Sequence, residues 1–344
     1  MTFDALTRDN PHLSRPTIEV AEGLETLPND GLPSLVGDQP WASTCTSRLQ
    51  DRVATLIESS ISANTRRAYR SDLAHFEACG GQLPANPAVV ASYLAAHADA
   101  LSVATLIRRI ATISKAHEAR GLPNPCRSEI VRATLRGIKR TRGISQREAK
   151  PLLRDDLFRI LYAMGGDMKD VRDRALLLVG FAGGFRRSEL VGLHCADIER
   201  VKQGIIIVLR RSKVDQDGAG RKIGIPYGRT RNCPVFAVDH WLAVSGIDQG
   251  PIFRPVDRHG HVAVEQLSGE AVSLVVKERV AAAGIDPTGY SGHSLRAGFA
   301  TSAVQAGVST FKIRAQTGHA SDAMLARYVR DGELFSGNPA GAVL

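Results

Sequence analysis

Two histidines, an arginine and a tyrosine crowd into one late stretch of this 344-residue sequence: His293-Ser294-Leu295-Arg296, then Thr317-Gly318-His319, then Tyr328. A helix through the first group puts His293 and Arg296, three positions apart, on one face. A phenol ordinarily titrates near about 10, and neighbouring positive charge favours the phenolate. Guanidinium forks match phosphate oxygens in pairs. A tyrosine among such cations points to nucleophilic attack on a phosphodiester. That chemistry needs cations on the non-bridging oxygens, a nucleophile in line with the leaving group, and an acid for the leaving oxygen. No carboxylate cluster in the sequence suits magnesium, so a site built from protein cations is the coherent alternative.

The remainder of the chain must then hold a polyanion. The formal net charge is +9 and the pI about 9.6, which favours such a partner. Aromatic residues make up only 5% of the chain, which argues for contact with a duplex backbone over stacking on single strands. The five cysteines (Cys45, Cys79, Cys126, Cys195, Cys233) are scattered, with no CxxC or Cys/His metal spacing, and read as reduced thiols of a cytoplasmic protein. The first residues do not resemble a signal peptide, and no run approaches the roughly 18 apolar residues of a membrane helix. There is no internal repeat and no GxxxxGK[ST] phosphate loop.

Residues 1–45 contain Pro11, Pro16, Pro28 and Pro33 and carry two arginines against seven acids, the composition of a flexible acidic arm. Residues 46–142 read as a helical domain. Its helices are expected at Ser47–Ser60, from Asn64 as cap to Gly80-Gly81, after Pro87 through Leu94, at Ser102–Arg120 and at Ser128–Lys139. In the fourth, Leu106, Ile110 and Ile113 face inward while Arg108, Arg109 and Lys115 lie elsewhere. Basic residues then accumulate: Arg132, Arg136, Lys139, Arg140, Arg142, Arg147, Lys150 and Arg154, with Glu148 the lone acid among them. Such a run between two domains fits contact with phosphates, and Arg108, Arg109, Arg132, Arg136, Lys139, Arg140 and Arg142 are the DNA-binding candidates. Residues 143–153 form the linker.

From residue 154 the pattern is mostly helical with a small antiparallel sheet: helices at Arg154–Met164, Val171–Phe181, Glu189–Leu193 capped by Ser188, Val235–Ser245 and Ser268–Ala283. The helix of His293 and Arg296 runs to Ala306, Thr310–Gln316 is capped by Ser309, and Ala323–Val329 carries the tyrosine. Strands are expected at Ile205–Leu209 and Lys222–Pro226, around the polar turn Ser212–Gly220.

These motifs resemble the tyrosine recombinase (phage-integrase) family. Gly184-Phe185-Arg186-Arg187-Ser188-Glu189-Leu190 resembles its first arginine box, and Arg210-Arg211-Ser212-Lys213-Val214-Asp215 its hairpin lysine motif. His293-Ser294-Leu295-Arg296 matches its HxxR box, and Thr317-Gly318-His319 with Tyr328 nine residues later its closing histidine and nucleophile. Any one of these is weak alone; together and in order they are specific, and the likeness to a Cre-like protein spans about residues 46–330.

The resemblance implies a mainly α, two-domain DNA clamp: a helical core-binding domain and a catalytic domain at 154–330, with a tail at 331–344 that either docks on a neighbouring subunit or is a frayed end. By that likeness Tyr328 attacks the scissile phosphate and leaves a 3′-phosphotyrosyl bond and a free 5′-hydroxyl. Arg186 and Arg296 hold the non-bridging oxygens, Arg187 being the alternative to Arg186. Lys213 is the acid for the 5′-oxygen, with Lys222 as its rival because hairpin register is not fixed by sequence. His293 bonds the phosphate or helps deprotonate Tyr328, His319 bonds a non-bridging oxygen, and Glu189 orients the site from behind Arg186.

The implied activity is site-specific recombination of double-stranded DNA through a Holliday junction, with a dimer on each inverted-repeat site and a homotetramer on two. No metal, ATP or other cofactor and no membrane are expected, and the setting is a cytoplasmic, nucleoid-associated protein of prokaryotic, phage or plasmid origin. The alternatives are a type IB topoisomerase-like relaxing enzyme without synapsis and a catalytically silent DNA-binding module.

Overall fold

The computed structural model describes residues 52, 61–143, 149–210, 220–319 and 321–332. The acidic stretch 1–45, the expected helix at 47–60 apart from Arg52, the turn that carries Lys213 and the tail beyond residue 332 lie outside the described residues. Two compact units divide the chain, Met1–Thr141 and Arg142–Leu344.

In the first unit, helices α1 (Ala63–Ala78), α2 (Pro87–Ala96), α3 (Val103–Glu118) and α4 (Glu129–Arg142) surround one apolar core. Phe76, Val90, Leu94, Leu106, Ile113 and Val131 are its centre, each nearly inaccessible to water. The caps explain the limits of the helices. Ser62 accepts from the Thr65 amide at 3.3 Å, so α1 starts one residue before the expected cap, Asn64. Asn86 and Ser102 cap α2 and α3 in the same way, with Pro87 in the first turn of α2, where its missing N–H costs nothing.

Arg109 overturns one expectation. It is buried, donates to the Tyr93 hydroxyl at 2.6 Å and lies 3.7 Å from Asp72, so it serves the interior of this unit and does not face a phosphate. The apolar stripe of α3 gave no sign of this, because Arg109 lies beside it on the face that α1 and α2 cover. Arg108 is half exposed but grips the same Asp72 with two bonds of 2.8 Å. On α4, Val131 and Ile138 point inward while Arg132, Arg136, Arg140 and Arg142 are exposed and Lys139 is half-buried. Arg136 pairs with Glu129.

The second unit is helical around a three-stranded antiparallel sheet of order β1 (Ile198–Val201), β2 (Gly204–Leu209), β3 (Arg221–Pro226). β1 was not expected: four residues with alternating charge carry too little apolar signal to stand out. Ile205 pairs with Ile225 and Ile207 with Ile223, all on the buried face. Helices α5 (Arg154–Ala163), α6 (Met168–Ala182), α7 (Arg187–Val191), α8 (Pro234–Ser245) and α9 (Gly269–Ala282) share the main core with that face. α10 (Ser294–Gln305), α11 (Thr310–Thr317) and α12 (Asp322–Gly332) complete the unit. Buried Asp173 binds Arg172 at 2.6 Å and Arg279 at 2.7 Å, tying α6 to α9.

Part of the expected linker belongs to this unit. Leu152 is fully buried, and its amide donates to the Ser294 carbonyl at 2.9 Å, while the Lys150 amide donates to Gly289 at the same distance. Residues 149–152 therefore brace the start of the helix that carries Arg296.

Candidate active site

The second unit assembles the site from four places in the chain. The turn from α6 into α7 supplies Arg186, which is itself the N-cap of α7; Ser188 is not. Glu189, at the third position of that helix, accepts from the Arg186 amide at 2.9 Å and from its guanidinium at 2.6 Å. One carboxylate thus caps a helix and fixes an arginine. Arg186 also donates to the Gly318 carbonyl at 3.0 Å. Arg187 points elsewhere, to the Ser273 hydroxyl on α9 at 3.2 Å, while Arg186 lies among the other candidate residues.

Arg296 comes from the first turn of α10 and is only 1% exposed. Its Nη1 donates to the carbonyl of Gly184 at 2.7 Å and to that of Thr317. Those two carbonyls lie before α7 and at the end of α11, so one guanidinium joins three elements. Gly184 has φ +57°, and a Cβ there would come within 2.8 Å of the Thr317 side chain, so no other residue suits the turn. Burial first, and then the charge of Arg186, push the Arg296 pKa down to about 10.

A third arginine was missed in the sequence. Arg221 is the first residue of β3; its terminal nitrogens are buried and have no hydrogen-bond partner, and it lies 3.6 Å from Glu189. Burial lowers its pKa too, with Glu189 opposing and Arg186 adding to the effect. It packs on Gly318, the left-handed cap of α11, where a Cβ would sit 2.0 Å from Arg221 Nη1. The missing signal was one of register. Arg221 stands opposite Leu209 and shares a strand face with Ile223 and Ile225, whereas a strand begun at Lys222 leaves it in the turn. Lys222 projects from the opposite, exposed face.

The nucleophile candidate is buried beside these cations. Tyr328, on α12, is 6% exposed and packs with Leu325, Ala297, Ala300, Val304 and Ile313. Its hydroxyl is 2.9 Å from Nε2 of His293, the exposed N-cap residue of α10. The phenol is close enough to Arg296 to act on its charge. His319 lies 2.7 Å from the Thr317 hydroxyl through Nδ1, with its ring 5.7 Å from that of Tyr328. Gln316 donates to the Ala182 and Gly224 carbonyls at 3.0 and 3.1 Å, which ties α11 to α6 and to β3. Arg186, Glu189, His293, Arg296, His319 and Tyr328 are therefore brought together within one unit of one chain, and Lys213 lies outside the described residues.

A phenol poised on a histidine next to clustered guanidinium groups is the working geometry of the tyrosine recombinases, enzymes of DNA strand exchange. Residues 150–333 match the phage integrase family, and residues 53–119 match the phage integrase N-terminal SAM-like domain. An integrase/recombinase xerD homolog of Selenomonas ruminantium is 38% identical over 301 residues, covering 85% of this chain and 88% of the relative. Recombinase cre of Escherichia phage P1 is 28% identical, covering 72% and 77% of the two chains. The fold is shared with a lambda integrase tetramer bound to a Holliday junction, at a TM-score of 0.56 and 19% identity, over 87% of this chain and 83% of that one. The chain belongs to the phage integrase family, as a site-specific tyrosine recombinase that acts on DNA.

Proposed function

We propose that this enzyme cuts and rejoins duplex DNA in cis, with Tyr328 as nucleophile and with Arg186, Arg296 and Arg221 around the scissile phosphate. The observation that carries this reading is the 2.9 Å contact between the Tyr328 hydroxyl and His293 Nε2, beside three guanidinium groups of the same unit. The phenol oxygen bonds to phosphorus as its proton passes to His293. The bond from phosphorus to the 5′-oxygen breaks, and Lys213 gives that oxygen a proton. One phosphoester replaces another, so no ATP is consumed. Glu189 holds Arg186 in place, and His319 bonds a non-bridging oxygen. The exposed face of Lys222 supports Lys213 as the acid.

Two rounds of this exchange, through a Holliday junction, recombine two sites. Each site is an inverted repeat bound by two protomers, giving a tetramer, in the cytoplasm and on the nucleoid. The family membership supports this assembly, as does the lambda integrase tetramer bound to a Holliday junction, whose fold is shared.

Tyr328→Phe removes the nucleophile and leaves the rest of the pocket intact. The variant is expected to bind its duplex site with wild-type affinity and to give no covalent adduct on a nicked suicide substrate, assayed on denaturing gels. An adduct formed by the variant sinks the assignment. Relaxation of supercoiled plasmid by the wild type, without recombinants from a two-site substrate, replaces recombination by a topoisomerase activity.

A further inference from the structure

Outside the active site, the first unit gathers three metal-ligating side chains: His75 and Cys79 on and just after α1, and His97 at the end of α2. Their ligand atoms all lie within 4.8 Å of one another. His75 and Cys79 are four apart, so the helix sets both on one face. The Cys79 sulfur is 3.7 Å from His75 Nδ1 and 3.5 Å from His97 Nε2. A tetrahedral zinc with bonds of about 2.3 Å to sulfur and 2.0–2.1 Å to nitrogen has sulfur–nitrogen edges of about 3.6 Å. Both edges are already in place.

The hydrogen bonds around the two rings fix which nitrogens carry lone pairs. His97 Nδ1 is 2.8 Å from the Tyr93 carbonyl, which only accepts, so Nδ1 holds the proton and Nε2 offers its lone pair to the Cys79 side. A histidine that donates its other N–H to a carbonyl is the arrangement that metal sites use to orient a ligand. Arg109 Nη1, which only donates, is 2.9 Å from His75 Nδ1 and the Tyr93 hydroxyl is 3.0 Å from it, so that nitrogen is also unprotonated, and a metal bound there displaces these two contacts. Arg109 keeps a partner if a metal takes the Nδ1 lone pair, because it already donates to Tyr93 at 2.6 Å and has Asp72 at 3.7 Å to offset its charge.

We infer that His75, Cys79 and His97 form a binding site for a borderline-soft divalent transition ion, zinc above all, that ties the end of α1 to the end of α2. Thiolate and imidazole disfavour magnesium and calcium and favour zinc. The Cys79 thiol loses its proton to solvent on binding, and the thiolate offsets one charge of the ion. Cys79 is exposed, so water can fill the fourth position.

The test uses the full-length protein, stripped with a chelator and then titrated with cobalt(II) and zinc(II). Wild type is expected to take up cobalt with a thiolate-to-cobalt charge-transfer band and tetrahedral visible bands, and to exchange it for one equivalent of zinc. Cys79→Ser should lose the charge-transfer band, and His97→Gln should bind at least about ten-fold more weakly. In wild type, iodoacetamide labelling mapped by mass should show Cys79 protected by zinc, with half-buried Cys126 and Cys195 unchanged. That readout does not depend on any variant folding. Equal labelling of Cys79 with and without zinc, or a charge-transfer band that survives Cys79→Ser, overturns the proposal.

Discussion

At the scale of single residues, the candidate active site crowds like charges together. Arg296 is buried and its guanidinium is pushed down to about 10, by burial first and then by Arg186. Arg221 is in a similar position, its terminal nitrogens desolvated and without a hydrogen bond, with the Glu189 carboxylate 3.6 Å away. A buried donor without a partner costs about 1–3 kcal/mol. Arg221→Ala should therefore leave thermal stability unchanged or raised, while slowing adduct formation by about 10²–10³, the effect of losing one donor to a developing charge. A variant that melts early with its remaining activity unchanged would make Arg221 a structural residue. Lys213 is tested through its leaving group. Lys213→Ala should block ordinary DNA yet cleave a substrate with a 5′-thiolate leaving group at close to the wild-type rate, since a thiolate departs without a proton. A Lys222→Ala variant should cleave ordinary DNA normally; the opposite pair of results would exchange the two roles.

At the scale of elements, short polar contacts decide how helices meet. Asp72 on α1 holds Arg108 and Arg109 on α3. Burial alone would raise its carboxyl pKa, but the Arg108 hydrogen bond and charge, with Thr112 and Arg109, outweigh it and hold it below the ordinary 3.8. A depressed carboxyl stabilises the fold above its unfolded pKa, and that stability is lost as pH falls through the folded value. The helical signal of the first unit should thus resist urea evenly from pH 7 to about 4 and weaken below it. Asp72→Asn should flatten that acid limb and lower stability at pH 7 by about 3–5 kcal/mol, because Arg109 is left buried without its carboxylate. An unchanged urea midpoint at pH 7 would show that the pair contributes nothing.

On the scale of the whole molecule, charge is expected to govern how DNA is held. The net charge of +9 is unevenly spread, and α4 displays Arg132 and Arg140 on its exposed face. Each phosphate contact contributes about −0.9 to the slope of log affinity against log salt. The Arg132→Ala/Arg140→Ala double variant should flatten that slope by about two contacts' worth in filter binding at several salt concentrations. A slope identical to wild type would place the phosphates elsewhere.

By itself, the sequence determined the class of the protein and proposed a set of site residues. The candidates Arg186, Glu189, His293, Arg296, His319 and Tyr328 could be named because short motifs keep their spacing, and most helices were legible because apolar period and capping are local. What the tertiary structure decided were contacts between residues far apart in the chain. It aimed Arg186 at Gly318 and Arg187 at Ser273. It brought Arg221 beside Glu189 through strand register, and buried Arg109, one of the DNA-binding candidates, under two helices. It also placed His97 against His75 and Cys79, across a turn no motif describes. Periodicity shows which face of an element is apolar, but only packing shows which polar groups that face encloses.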